Sequence, residues 1–297
     1  MSTAQLETKA QEKVNHTAKP RSRSILRIAR RVGIGVLCLA GSLSILNRFW
    51  VSSGSNEWKL FKDSQGIQMY TLKAPGSSLI RLKAIFTLHG YTLSQFVAAM
   101  IDDNNVQNCK DWIPGCVGMH QIERFDPATM SDSWMAEMKM PWPMKTREFL
   151  YKSHLTQDKQ TKEIFIELIA APSKVPTRDG FIRLDRIHNS WRYTPLANGD
   201  IRVEHREYVG FNGMVPDFLI SMGMPYSVFD FLANFLPGLL DKERYRKAKF
   251  DFIQEPEKSP APRGQETPRG QEAPAAERAP EPGTAAEDGK LVKAGPR

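Results

Sequence analysis

Three cysteines and six histidines in 297 residues leave little material for metal or thiol chemistry. His16, His89, His120, His154, His188 and His205 fall at no metal-ligand spacing, so no metal site is expected. The chain also lacks a GxSxG nucleophile elbow, a Walker loop and a dinucleotide fingerprint, and most of its carboxylates alternate onto strand faces assigned to water. Neither a catalytic constellation nor a cofactor is expected.

Basic charge is missing where a nucleic acid would need it. The formal net charge is +8, but residues 1–31 carry eight Lys and Arg against Glu7 and Glu12, so this arm holds +6 and the rest of the chain only +2. With no Cys/His finger spacing and no helix-turn-helix signal, a nucleic-acid partner is excluded.

Charge of either sign is absent from Val32 to Leu46, "VGIGVLCLAGSLSIL", and the next cation is Arg48. At 1.5 Å per residue this run covers about 22 Å, short of the roughly 30 Å hydrocarbon core. Snorkelling by Arg31 and Arg48 and an interfacial Trp50 close the gap. Residues 32–51 therefore read as one transmembrane signal anchor, with residues 1–31 a cytoplasmic arm and the remainder outside the cytoplasm by the positive-inside rule. An inner-membrane, single-pass protein with a periplasmic or extracytoplasmic domain follows. The alternative is a signal peptide cleaved near Ala40 and Ser42, leaving a secreted domain. Cys38 lies inside the run. Cys109 and Cys116 read either as a candidate disulfide in an oxidising compartment or as two free thiols near a helix end.

After a short linker, "SSGSN", the folded part spans residues 55–252. "IQMYTLK" (67–73) and "LIRLKAIFTL" (79–88) form a hairpin around "APGSS". A helix over 92–103 starts at the N-cap Thr92. Strand patterns then follow for nearly a hundred residues, from "CVGMHQIERF" through "GFIRLDRI" and "SWRYTPL" to "IRVEHREYVGF", which predicts a curved antiparallel sheet. Parity puts Trp134, Ala136 and Met138 on one face opposite Met135 and Glu137, and Phe149, Tyr151 and Ser153 on the inner face of the next strand. A stripe of Phe218, Met222, Pro225, Phe229, Leu232 and Leu236 marks a long C-terminal helix that covers this sheet. Residues 253–297, rich in Pro, Gly, Ala and charge, read as a disordered tail.

The order of Trp58 and "GIQMY", a helix, "DWIPG", "PWPMKTREF", "GFIR", "YTPLANG" and "MVPDFLISMGMP" resembles the START family of StAR-related lipid-transfer domains. The family's Pro-Trp-Pro turn and Arg-Asp step appear as Pro141, Trp142, Pro143, Arg147 and Glu148, followed by Phe149. Its "IPxWLVN" step appears as Val215, Pro216, Asp217, Phe218, Leu219, Ile220 and Ser221. Glu148 departs from the usual Asp, and Phe218 and Ser221 from Trp and Asn, so ligand choice does not carry over.

The resemblance implies an α+β helix-grip fold, START or Bet v1-like, with a hydrophobic tunnel between the sheet and its C-terminal helix. The ligand would be a lipid, of sterol-like, phospholipid or other acyl type, bound and transferred or presented near the membrane. Candidate lining residues are Trp134, Ala136, Met138, Phe149, Tyr151 and Ser153 on the sheet, with Phe218, Met222, Phe229 and Leu232 on the helix. Trp142 is expected to plug the sheet end, and Arg147 with Glu148 to make charge-assisted bonds at that corner. Two other readings stay open. One is a cyclase or aromatase of the same fold, using Tyr151, Arg183 and His205 as acid-base groups. The other is a membrane-tethered lipid sensor.

Overall fold

The computed structural model describes residues 21–101, 106–113, 115–213 and 216–257. Residues 1–20 of the basic arm, the Pro-rich tail from 258 onward and Val215 lie outside them. Helix α1 (Arg21–Ser52) contains the apolar run and reaches back into the basic arm. Its stretch Arg27–Ser52 has 26 residues at a mean hydropathy of 1.6, and none of its apolar window is buried. At 1.5 Å per residue this is about 39 Å, enough for a hydrocarbon core of about 30 Å. The apparent shortfall vanishes because the helix continues past both flanking cations.

The domain begins with a meander of β1 (Trp58–Ser64), β2 (Ile67–Lys73) and β3 (Ile80–Leu88). In β3 the alternation is clean: Ile80, Leu82, Ala84, Phe86 and Leu88 are buried, while Arg81 and Thr87 face water. Helices α2 (Leu93–Ile101) and α3 (Val106–Trp112) lead to β4 (Cys116–Asp126), β5 (Ser131–Met138), β6 (Thr146–Gln157) and β7 (Ile164–Ala170). Next come β8 (Phe181–Arg183), β9 (Arg186–Pro195), β10 (Ile201–Glu207) and β11 (Val209–Gly210). The strands join in the order β1-β2-β3-β10-β9-β7-β6-β5-β4, with β11 on β9 and β8 on β6. All pairs are antiparallel except β6 with β8. A sheet this wide coils through accumulated twist, and the register shifts in β4 after Cys116, Gln121 and Glu123 bend its far edge.

Two expectations need correction here. "GFIRLDRI" is not one strand: β8 stops at Arg183, and Arg186 already belongs to β9, which runs on through "SWRYTP". Parity in β5 does not separate core from water either, because Asp132 through Glu137 are all buried. The outer face is covered by the segment before β8: Arg178 pairs with Glu137 and Glu148, and Arg183 with Glu148.

The C-terminal helix follows as α4 (Asp217–Asp230), one π-helical turn over Phe231–Phe235, and α5 (Leu236–Leu240), then the short α6 (Glu243–Arg246). Pro225 lies within α4 and Pro237 in the first turn of α5, directly after the π-helical turn. The fold extends past residue 252. Ile253 is buried, and the Glu255 carboxylate accepts bonds from the backbone N–H groups of Leu93 (3.0 Å) and Ser94 (2.8 Å). Glu255 thus satisfies the first free donors of α2 beside the Thr92 cap, which accepts from Gln95 N at 3.2 Å.

Candidate functional site

A cavity of about 570 Å³ lies between the inner face of the sheet and α4. The sheet supplies Met119, Trp134, Met138, Phe149, Tyr151, Leu168, Asn189, Trp191, His205 and Glu207. Helix α4 supplies Leu219, Ile220, Gly223, Met224, Ser227 and Val228, and Phe231 follows in the π turn. Trp112 and Ile113 close one side; the Trp112 ring meets Phe231 at 5.6 Å. Five methionines, at 100, 119, 138, 140 and 224, give the wall flexible and polarisable surfaces that fit irregular apolar shapes.

Of the expected lining residues, the structure brings Trp134, Met138, Phe149 and Tyr151 to the cavity; Trp134 packs on Tyr151 with centroids 4.5 Å apart. Ala136 shares their strand face but is wholly buried between neighbours. Met222 is 59% exposed and points away from the cavity. Phe218, Phe229 and Leu232 are buried but do not line it. The physical reason is that α4 has two apolar faces. One packs on the first hairpin: Phe61 meets Tyr226, Lys62 lies over the Phe229 ring, and the buried Ser221 hydroxyl accepts from Ile80 N at 3.3 Å. The other face, shifted round the helix to Ile220, Met224, Ser227, Val228 and Phe231, fronts the cavity.

Ser153 does not line the cavity; its hydroxyl donates to Asp132 Oδ1, directly across the β5–β6 pair. Asp132 is 1% exposed and its Oδ2 has no partner among the described residues. Loss of solvent pushes its carboxyl up to about 6, against the bond from Ser153, with Glu123 adding to the rise. This carboxyl breaks the rule that acids face water. It stood two residues before Trp134 on the same face, and that spacing was the signal that could have found it.

The Pro-Trp-Pro turn also needs correction. Trp142 is 92% exposed and plugs nothing; the turn, with a cis Trp142–Pro143 bond, projects beyond the sheet. Arg147 and Glu148 make charge-assisted bonds, but on opposite faces. Arg147 points inward, where Nε donates to the Phe211 carbonyl (3.1 Å) and Nη2 to the Asn212 carbonyl (2.9 Å). It holds the segment leading into α4, and Phe211 in turn meets Phe149 at 5.9 Å. Glu148 faces outward, fully buried, and accepts from Arg178 Nε (2.7 Å) and Arg183 Nε (2.8 Å). Arg183 is thereby tied to the outer face, away from the cavity, and drops out of the acid-base set suggested with Tyr151 and His205.

Those two, with Asn189, Glu207, Ser227 and Lys139, form the polar part of the wall. Neither Asn189 nor Glu207 was singled out from the sequence, although Glu207 shares His205's face at a spacing of two. Burial raises the Tyr151 phenol well above its ordinary value, and the nearby Glu207 charge adds to the effect.

Cys109 and Cys116 are joined in a disulfide with Cα atoms 5.9 Å apart, bridging α3 to the start of β4. The bridge brackets Trp112 and Ile113, so it fixes that side of the cavity. Cys38 is free.

No family model matches the chain. An uncharacterized protein of Pseudomonas aeruginosa is 25% identical over 187 residues, covering 62% of this chain and 86% of the relative. Among solved structures, the chain is similar to a fragment of the STAR-related lipid transfer protein from Xanthomonas axonopodis. The TM-score is 0.53 with 22% identity over 61% of this chain and 98% of that one. Human STARD10 gives a TM-score of 0.54 with 13% identity, over 64% of this chain and 76% of that one. The chain has the START fold, an α+β helix grip.

Proposed function

We propose that this protein is a membrane-anchored lipid-binding protein that holds one lipid in the cavity beneath α4 and transfers or presents it at the bilayer. The observation that carries the reading is the cavity itself, about 570 Å³ walled by aromatic and methionine side chains and roofed by a helix. Each 100 Å² of apolar ligand surface withdrawn from water contributes about 2.5 kcal/mol, so about 300 Å² gives some 7 kcal/mol before entropy losses. No covalent chemistry is needed to retain such a ligand.

The anchor side of the proposal rests on how α1 ends. The "SSGSN" segment is not a free linker: Trp50 Nε1 donates to the Ser78 carbonyl (2.7 Å), Gly76 N to the Val51 carbonyl (2.8 Å), and Lys73 Nζ to the Ser53 carbonyl (3.1 Å). The same turn holds the start of α4, because Asp217 Oδ2 accepts from the Ser78 hydroxyl (2.5 Å) and from Arg186 Nη1 (2.8 Å). The anchor and the roof helix therefore meet at residues 76–78. With α1 in the bilayer, the cavity's roof begins at the membrane surface, and the basic flank favours an extracytoplasmic domain.

The test is lipid analysis of the full chain purified in detergent and washed through several exchanges. The proposal expects about one equivalent of a lipid class enriched far above its share of the host membrane. A bound fraction that mirrors bulk membrane composition would sink it.

A further inference from the structure

Beside the C-terminal end of α1 lies a pocket separate from the cavity. It has a volume of about 420 Å³ and is lined by Leu72, the turn 74–79, Arg81 and Tyr208. Trp50 sets its depth. The indole stands at the end of the apolar helix, where aromatic side chains mark the membrane interface, and its Nε1 donates to the Ser78 carbonyl in the pocket wall (2.7 Å). The adjacent Val51 carbonyl accepts from Gly76 N (2.8 Å). With α1 across the bilayer, the turn therefore lies level with the phospholipid headgroups. Charge at this level is unbalanced. Arg81 stands over the Tyr208 ring at 5.8 Å and makes no ion pair or hydrogen bond among the described residues; the Tyr208 hydroxyl likewise has no partner among them. Lys73, next to Arg81 across the β2–β3 pair, gives its ammonium to the carbonyls of Val51 (3.5 Å), Ser53 (3.1 Å) and Ala74 (3.1 Å) and meets no carboxylate. Arg186, beyond Ser78, is matched by Asp217 (2.8 Å). None of the described lining residues is Asp or Glu. A planar guanidinium fork with a phenol beside it suits phosphate oxygens, which accept from both. A zwitterionic headgroup would bring its own ammonium against Arg81 and Lys73, with no carboxylate in the pocket to receive it.

We infer that this pocket is a second lipid site, one that takes the headgroup of an anionic phospholipid such as phosphatidylglycerol from the surrounding leaflet. Arg81 and the Tyr208 hydroxyl donate to the phosphate oxygens, and Lys73 adds unbalanced charge. The acyl chains stay in the bilayer alongside α1, so this lipid fixes how the domain sits on the membrane and is not cargo. The inference rests on the reading of α1 as a membrane anchor and is independent of what the cavity holds.

The experiment uses the full chain in phosphatidylcholine nanodiscs doped with a photoactivatable phosphatidylglycerol or phosphatidylcholine, each carrying its diazirine at the same acyl carbon near the ester. After illumination, crosslinks are mapped by mass spectrometry to residues 74–81, to α1 and to the cavity wall separately. Phosphatidylglycerol is expected to reach half-maximal labelling of residues 74–81 at about a tenfold lower mole fraction than phosphatidylcholine, the scale of one hydrogen bond to a charged group. Arg81→Gln should erase that preference, and Tyr208→Phe, which keeps the ring, should reduce it. Labelling of α1 should not change in either variant. Arg202→Gln removes an exposed cation opposite Thr87, six residues further along β3, and should leave the preference intact. Equal labelling by the two lipids would overturn the inference, as would a preference that survives Arg81→Gln or falls equally in Arg202→Gln, since general surface charge would then explain it. Loss of the phosphatidylglycerol label on adding millimolar inorganic phosphate would assign the pocket to a soluble anion and overturn it too. If α1 is labelled but residues 74–81 are not, the pocket is not at the bilayer and the inference falls alone. If α1 is not labelled either, the anchor reading falls with it.

Discussion

Replacing Asp132 by Asn isolates the cost of a charge that the fold keeps out of water. The carboxyl is 1% exposed, has one oxygen without a partner among the described residues, and is pushed by burial up to about 6 from an ordinary 3.8. A folded-state pKa raised by about 2 units means the native state binds the proton more tightly than the unfolded chain, at about 1.4 kcal/mol per unit. Stability from this group is complete below about pH 4, declines from pH 4 to 6, and above that is lower by about 3 kcal/mol. Asn keeps an oxygen to accept from Ser153 and cannot ionise. Asp132→Asn should therefore match the wild type near pH 4 and exceed it by up to about 3 kcal/mol at pH 7.5, some 6–12 °C in melting temperature for a domain of about 200 residues. Urea unfolding of the full chain in detergent, followed by Trp fluorescence at several pH values, reads this directly. A variant no more stable than the wild type at pH 7.5, or a gap indifferent to pH, would refute the reasoning.

Gly223 faces the cavity, and a Cβ built there meets nothing within 4 Å. Gly223→Phe should cut lipid occupancy severalfold while leaving the unfolding midpoint unchanged or raised, because a helical Gly costs about 0.5–1 kcal/mol relative to Ala. Replacing Cys109 and Cys116 by Ser opens a loop of sequence separation 7, for which chain entropy gives about 2 kcal/mol; hydrogen exchange should rise at Trp112 and Ile113 before the sheet. Glu148→Gln leaves Arg183 buried without its carboxylate while Arg178 keeps Glu137, so a loss of about 3 kcal/mol and earlier tryptic cleavage at Lys174 or Arg178 are expected.

Alternation made β2 and β3 readable almost to the residue, and the apolar helix α1 announced itself by its charge-free run. The readings failed where one element is covered from two sides. Helix α4 carries apolar residues toward both the first hairpin and the cavity, and periodicity alone does not choose between the face of Phe218 and Phe229 and the face of Ile220 and Met224. In β5 the outer face is buried by Arg178 and Arg183, which arrive from more than 40 residues away, so no local pattern could announce them. Trp142 shows the opposite failure: a large aromatic between two prolines suggests burial, yet it stands in solvent. The polar wall was half legible. His205 was named, whereas Asn189 became a lining residue only once β9 and β7 paired it with Leu168.

Native mass spectrometry of the full chain released from detergent, with Gly223→Phe beside the wild type, tests the central claim most directly. The account predicts a wild-type peak carrying one lipid mass that survives collisional activation sufficient to strip the micelle, and a bare peak for the variant. Identical bare spectra, or identical lipid adducts on both proteins, would show that the cavity is not where a lipid is held.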